Sequence, residues 1–323
     1  MRKSDFNYHK LELEQVPCSV CGGREFETLA KVDRYRMGIS TSGCAQCGLV
    51  MTNPRPSETA MYDFYQFHYR KFYESVEVPD QKYIRKIHKD IRAKYTVDFL
   101  EQTGTLKKTS RVLDFGCGEG CLLREISSRM PDLEVEAVEP GENFRDFARE
   151  YAACAVYASL DHLLESSSGK FDLITINHVL EHLMQPDTIL SRLKQLLAED
   201  GYIFIDVPAI EGYRSVESLH IGHMFHFSEN TLQLLATSLG YRVLSIERHH
   251  PPNHPVSTRC LIVSDNSPVR TELGQDGNRY KCWSRIRDIN RTAWKFYVMS
   301  SFIVKAGLFI PRRIIRMTNR GDE

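Results

Sequence analysis

Val112-Leu113-Asp114-Phe115-Gly116-Cys117-Gly118-Glu119-Gly120 is the stretch whose reading decides the fold. Two apolar residues lead into Asp114, and glycine then falls at every second position. The pattern predicts a buried strand ending in a tight turn, because glycine accepts positive φ and lets the backbone approach a ligand. Cys121-Leu122-Leu123-Arg124-Glu125-Ile126 follows with apolar residues at helical spacing. Strand, glycine turn and helix together build a nucleotide-shaped site at the carboxyl end of a parallel sheet.

The details of the turn narrow its ligand. A dinucleotide turn reads G-x-G-x-x-G, and a phosphate loop reads G-x-x-x-x-G-K-[ST]. Here the glycines run G-x-G-x-G, and no lysine follows. Asp114 would repel a pyrophosphate and attract an ammonium group. The turn therefore suits a nucleoside carrying a cationic amino-acid tail, with a ligand-free glycine turn as the alternative. The pattern resembles motif I of the class I methyltransferases that use S-adenosylmethionine. The resemblance implies an α/β, Rossmann-like sheet with Asp114, Gly116, Gly118 and Gly120 at the cofactor.

Downstream, Leu133 to Pro140 reads as a second strand ending in Glu139. An acid about twenty residues after the glycines is where a ribose-binding carboxylate belongs. A solvated acid at a strand end is the alternative. A helix is expected over Asn143 to Ala152, then a short strand and turn over Tyr157 to Leu163. In the family this turn passes the adenine ring, so Asp161 is a candidate acceptor for the adenine amino group. An acid that simply begins a helix reads equally well. Phe171 to Ile176 predicts a fourth strand running into Asn177-His178-Val179-Leu180-Glu181-His182-Leu183, with Pro186 beyond. This run is the second family signal and adds Asn177 to the cofactor set. Gly201 to Pro208 predicts a fifth strand, and apolar runs at Arg242 to Ile246 and Cys260 to Val263 complete the alternation.

The chain has 323 residues, enough for about two domains. Lysine plus arginine, 42, equals aspartate plus glutamate, 42, so no global basic field marks a nucleic-acid protein. No N-terminal apolar stretch resembles a signal peptide, so a cytoplasmic location is expected. Nine cysteines occur, and four of them have metal-ligand spacing. Cys18-x-x-Cys21 and Cys44-x-x-Cys47 are each followed by glycine. Two such pairs supply a tetrahedral four-thiolate site, with zinc the expected ion and no position left for a catalytic water. Paired redox or buried cysteines are the alternative.

These signals divide the chain into a four-cysteine zinc-binding module (1–56), an aromatic helical linker or lid (57–105), a methyltransferase domain (106–265) and a basic helical extension (266–323). Tyr62, Phe64, Tyr65, Phe67, His68, Tyr69, Phe72 and Tyr73 crowd the linker. They suit either a lid over the ligands or packing between module and domain. A further helical stretch is expected over Tyr83 to Leu100.

Taken together, the four-cysteine module, aromatic linker, glycine turn, N-x-V-L-E-H run and later histidines resemble the zinc-containing methyltransferases of sugar biosynthesis. The resemblance implies an acceptor that is a sugar, nucleotide-linked or glycan, or a similar small polar metabolite. A hydroxyl acceptor, or a carbon beside a carbonyl, must lose a proton, and histidine suits that task at neutral pH. Candidates concentrate in His220-Ile221-Gly222-His223-Met224-Phe225-His226-Phe227-Ser228. The sugar C-methyltransferases have a Glu-His pair before an aromatic-Phe-Ser segment. Aligning Phe227-Ser228 puts Gly222 at the Glu position and His223 at the His position. The acid is missing, which speaks against transferring the C-methylation mechanism unchanged. His223 is the first candidate base and His182 the second, with His226 and His178 behind them. Buried structural histidines, and Ser228 as the N-cap of a helix from Glu229, are the alternatives. His249-His250 reads as a surface loop.

From Gly277 onward eleven basic residues face three acidic ones, a formal +8. The apolar segment Phe296 to Ile310 is too short and interrupted for a membrane span. A basic amphipathic helix could touch an anionic membrane surface. It could instead pack on the methyltransferase domain or a twin subunit. RNA methylation with the zinc module as the RNA grip, and a non-catalytic assembly role, are the competing functions.

Overall fold

The computed structural model describes residues 8–35, 37–69, 76–108, 110–265 and 278–305. The N-terminal part contributes β1 (Leu13–Glu14), β2 (Phe26–Ala30), β3 (Thr41–Cys44), β4 (Val50–Thr52) and β5 (Arg55–Pro56). Among the described residues that follow are α1 (Glu58–Phe67), α2 (Gln81–Lys86) and α3 (Lys89–Gln102). The expected single helix over Tyr83 to Leu100 is broken, because His88 adopts the left-handed conformation (φ 57°) and starts α3 on a new axis. Val97 and Leu100 of α3 then bury against the helix that follows the glycine turn.

The remainder alternates strands and helices. In order come β6 (Arg111–Phe115), α4 (Cys121–Arg129), β7 (Glu134–Val138), α5 (Glu142–Ala152), β8 (Ala155–Tyr157), α6 (Leu160–Ser166), β9 (Phe171–Asn177), α7 (Pro186–Leu196) and β10 (Leu197–Pro208). Then follow β11 (Phe225–His226), α8 (Glu229–Ser238), β12 (Tyr241–His249), β13 (Ser257–Ser264) and α9 (Asn278–Lys305). Seven strands form one sheet in the order β12-β13-β10-β9-β6-β7-β8. The pairs from β10 through β8 are parallel, and β13 runs antiparallel to both its neighbours. Central strands covered on both faces read as continuous apolar runs. Val112, Leu113, Leu173, Ile174 and Ile176 accordingly have no exposed surface. Strand order reverses between β6 and β9, so a ligand crevice opens at their carboxyl ends, where the glycine turn and the Asn177 segment emerge.

A second sheet has the order β11-β4-β3-β2. Its outer strand comes from far along the chain: Phe225 pairs with Met51 and His226 with Val50. The four-cysteine module and the histidine segment thus share a sheet. His226, read as the approach to a helix, is in this strand; Ser228 does cap α8, in a reciprocal box with Thr231. The core is likewise continuous, joining Cys44, Leu49, Met51, Met61 and Phe64 to Ile174, Ile176 and Leu180.

The first half of α9 lies on the N-terminal module. Trp283, Ile286 and Ile289 bury against Leu29, Ala30 and Val50. A side chain at Gly43 would overlap the Trp283 indole, with a β-carbon only 2.3 Å from its ring. The indole N–H donates to the Gly48 carbonyl at 3.2 Å. Phe72, Tyr73, residues 266–277 and the basic residues Arg312, Arg313, Arg316 and Arg320 lie outside the described residues. No helix among the described residues is long and apolar enough to cross a membrane.

Candidate active site

At one end of the crevice the glycine turn takes the shape its sequence requires. Gly116 has φ 84° and Gly118 φ 56°, values that side chains resist. A β-carbon on Gly116 would sit 2.4 Å from the Val179 side chain, whereas one on Gly118 would meet nothing within 4 Å. Gly116 therefore lets the β6 and β9 turns close together, and Gly118 leaves an open backbone cradle. Glu139, 4% exposed, braces that cradle. Its Oε2 accepts from the Gly118 N–H at 3.0 Å and its Oε1 from the Gly141 N–H at 2.9 Å. Asp114 is buried at the end of β6 and accepts from the Thr175 hydroxyl at 2.7 Å. Burial pushes its carboxyl up to about 6, against the opposing Thr175 hydrogen bond.

The crevice widens into a cleft of about 1210 Å³. Pockets for one small ligand run to about 300–1,000 Å³, so this volume suits a nucleoside-sized group and an acceptor side by side. Asp114, Gly116, Gly118, Glu139 and Asn177 line one part, and His178, Glu181, His182, His220 and His223 another. Gly120 stands behind the turn, where a β-carbon would press on Ala148 and Ala152 of α5 at 3.2–3.3 Å. Asp161, expected beside the adenine, is a correction: it sits in the first turn of α6, largely exposed, and pairs with Arg192 at 2.5 Å away from the cleft. An acid at a helix start found a cation on the neighbouring α7 instead.

The histidines converge from two segments. His182 donates from Nδ1 to the Gly222 carbonyl at 2.5 Å, since a carbonyl can only accept. Tyr65 of α1 donates to the same carbonyl at 2.9 Å, and the Tyr69 ring stands edge-on to His182 at 5.6 Å. In the aromatic linker Phe64 is wholly buried between module and domain, while Tyr65 and Tyr69 line the cleft. His182 and His223 ring centres are 4.8 Å apart, and His220 lies 3.9 Å from His223. Burial, reinforced by the neighbouring histidines, holds His223 and His220 well below the usual imidazole range. The N-terminal module pins this loop: Thr52 donates its N–H to the Met224 carbonyl at 2.8 Å and its hydroxyl to the His223 carbonyl at 3.2 Å.

Sequence reasoning missed the acid. None stands at Gly222, but Glu181 reaches the same histidines from the β9 turn, 1% exposed, 3.5 Å from His178 Nδ1 and 3.7 Å from His182 Nε2. Its signal was an acid inside the apolar run Val179 to Leu183. His249 is a second miss: it ends β12 buried, not on a surface loop, and bonds Asp206 Oδ1 at 3.0 Å. The four cysteines form a separate cluster, all Sγ atoms within 4.8 Å of one another. Cys18 to Cys47 spans 3.4 Å and Cys21 to Cys44 3.6 Å. These separations exceed a disulfide bond and approach the roughly 3.8 Å edge of a zinc–thiolate tetrahedron. Gly22 and Gly48 amides turn back onto the Cys18 and Cys44 carbonyls at 2.8 and 2.9 Å, wrapping each knuckle.

A methyltransferase-domain family model matches residues 83–246, half of the chain, and the chain belongs to that family. It is 30% identical over 110 residues to an uncharacterized methyltransferase of Schizosaccharomyces pombe, covering 30% of this chain and 40% of the relative. It is 34% identical over 107 residues to the ubiquinone biosynthesis O-methyltransferase of Glaesserella parasuis, covering 29% and 44%. The matched segments therefore span less than half of these curated relatives. Among solved structures it is similar to the plantazolicin methyltransferase BamL, which was solved with a triazolic desmethylPZN analog and SAH. The TM-score is 0.50 at 15% identity, covering 63% of this chain and 94% of that one, a likeness of fold.

Proposed function

We propose that the protein transfers a methyl group from S-adenosylmethionine to a hydroxyl or carbon of a sugar, nucleotide-linked or glycan, or of a similar small polar metabolite. The observation that carries this reading is one cleft with the braced glycine cradle in one part and Glu181, His182 and His223 in another. S-adenosylmethionine supplies an electrophilic methyl on a sulfonium centre. Gly118 offers it open backbone, Glu139 a carboxylate for its ribose, and Asp114 a buried negative charge for its ammonium. The histidine part binds the acceptor and takes up its proton. The four cysteines hold a structural zinc whose module builds the acceptor wall through Thr52. That module presents one sheet edge to β11 and packs against α9, which supports wall-building over an RNA grip.

Calorimetry with S-adenosylmethionine and its demethylated product tests the cofactor assignment, and folded protein with no affinity for either overturns it. Labelled methyl transfer into a cell extract, followed by mass spectrometry, then identifies the acceptor. Glu139→Gln is expected to weaken cofactor binding about tenfold or more, because charge-assisted hydrogen bonds are worth about 1.5–3 kcal/mol. An unchanged dissociation constant would remove Glu139 from the cofactor site.

Affinity should also depend on pH. The Asp114 carboxyl titrates at about 6, so its charge is present above that pH and lost below it. Cofactor affinity is expected to be steady at pH 7–8 and to fall on acidification through about 6. A flat profile down to about pH 5 would place the ammonium elsewhere.

A further inference from the structure

Glu181 is a buried charged group that proton uptake by histidine alone does not explain. It is 1% exposed, and neither carboxylate oxygen makes a hydrogen bond among the described residues. Its ion-pair contacts among those residues are His178 and His182, with no lysine or arginine among them. A buried carboxyl group left without hydrogen bonds calls for a partner that satisfies its oxygens, such as a cation. His223 adds an imidazole from the other segment, and its Nδ1 is buried without a hydrogen bond. One donor atom from each of Glu181, His182 and His223 lies within 4.8 Å of the other two. Ligands about 2.1 Å from an ion stand roughly 3–3.5 Å apart, so a small closure of the side chains completes the set. His182 is already oriented for it. Its Nδ1–H is held by the Gly222 carbonyl, leaving the Nε2 lone pair facing Glu181, an arrangement that metal-binding imidazoles use.

We propose that Glu181, His182 and His223 hold a divalent cation, distinct from the four-cysteine centre, that binds an oxygen of the acceptor. The inference rests on the acceptor-site reading above and deepens it. Two imidazoles and one carboxylate leave coordination positions open, a donor set suited to first-row divalent ions. A hydroxyl or enol oxygen in an open position becomes more acidic and gives its proton to His178, a cleft imidazole beside Glu181 and outside the ligand set, so the acceptor class is an oxygen donor rather than an amine or thiol.

The probe is Mn²⁺, which favours carboxylate oxygen over thiolate. It is added to the full-length protein carrying one equivalent of zinc and followed by loss of the aqueous-ion paramagnetic resonance signal. Wild type is expected to bind about one Mn²⁺ per chain, and Glu181→Gln and His223→Gln at least ~10-fold more weakly. Far-UV circular dichroism reports folding of each variant, and His223→Gln carries the test should Glu181→Gln fail to fold. No Mn²⁺ on the wild type, or equal binding by the folded variants, overturns the site. Mn²⁺ bound with loss in the variants, but no affinity for S-adenosylmethionine, supports the site while overturning the methyl-transfer reading.

Discussion

Replacing His223 by alanine is expected to lower the methyl-transfer rate about a hundredfold or more while leaving S-adenosylmethionine affinity within about twofold, since a group that activates the acceptor oxygen, as its base or as a ligand of the cation that makes it acidic, contributes about a hundredfold or more. The separation of the two effects follows from the geometry. His223 stands with His182 and His220 in the histidine part of the cleft, whereas Asp114, Gly118 and Glu139 come from β6, its turn and the end of β7. The bonds that hold the loop survive the substitution, because Thr52 contacts backbone carbonyls of His223 and Met224, not the imidazole. Labelled-methyl transfer and cofactor calorimetry on the same preparation read the two quantities. Undiminished transfer would exclude His223 from the reaction, and a parallel collapse of cofactor affinity would mean that the substitution had damaged the whole cleft.

Cys44→Ser is expected to act at a distance. Cys44 has no exposed surface and ends β3, so it belongs at once to the four-cysteine cluster and to the sheet. Structural zinc sites contribute about 10–16 kcal/mol in small zinc modules, and a hydroxyl is a poor substitute for one of four thiolates. Zinc retained after dialysis against a chelator should fall from about one per chain to a small fraction. The consequence travels through β4. That strand pairs with β3 on one side and with Phe225–His226 on the other, and Thr52 at its end holds His223 and Met224. A loosened module therefore lets the acceptor wall drift, and a misplacement of about 1 Å near the chemistry can cost about a hundredfold in rate. Cofactor affinity should persist. Full zinc retention would contradict the four-cysteine assignment. Zinc loss with unchanged transfer would show that the module does not position His223.

The glycine-turn part of the cleft was legible in the sequence because its parts lie close along the chain or at a spacing set by one βαβ unit. Gly116, Gly118, Asp114 and Glu139 are separated by a strand, a turn, a helix and a strand, and such units have few ways to pack. The cysteine knuckles were legible for the same reason. Where an expectation went astray, tertiary contacts had won over local pattern. Asp161 met Arg192 of another helix, His249 met Asp206 of another strand, and the helical stretch before the sheet broke at His88.

Local spacing of residues on strands, turns and knuckles thus determined by itself the methyltransferase-type sheet, the glycine cradle and the four-cysteine cluster. Only the tertiary structure decided what gathers in the histidine part of the cleft. Glu181 supplies the acid that Gly222 lacks, and β11 joins the sheet of the cysteine module so that Thr52 can hold His223, 171 residues away. Those contacts depend on strand register and on two sheets sharing one core, and such long-range pairings leave no periodic mark in the chain.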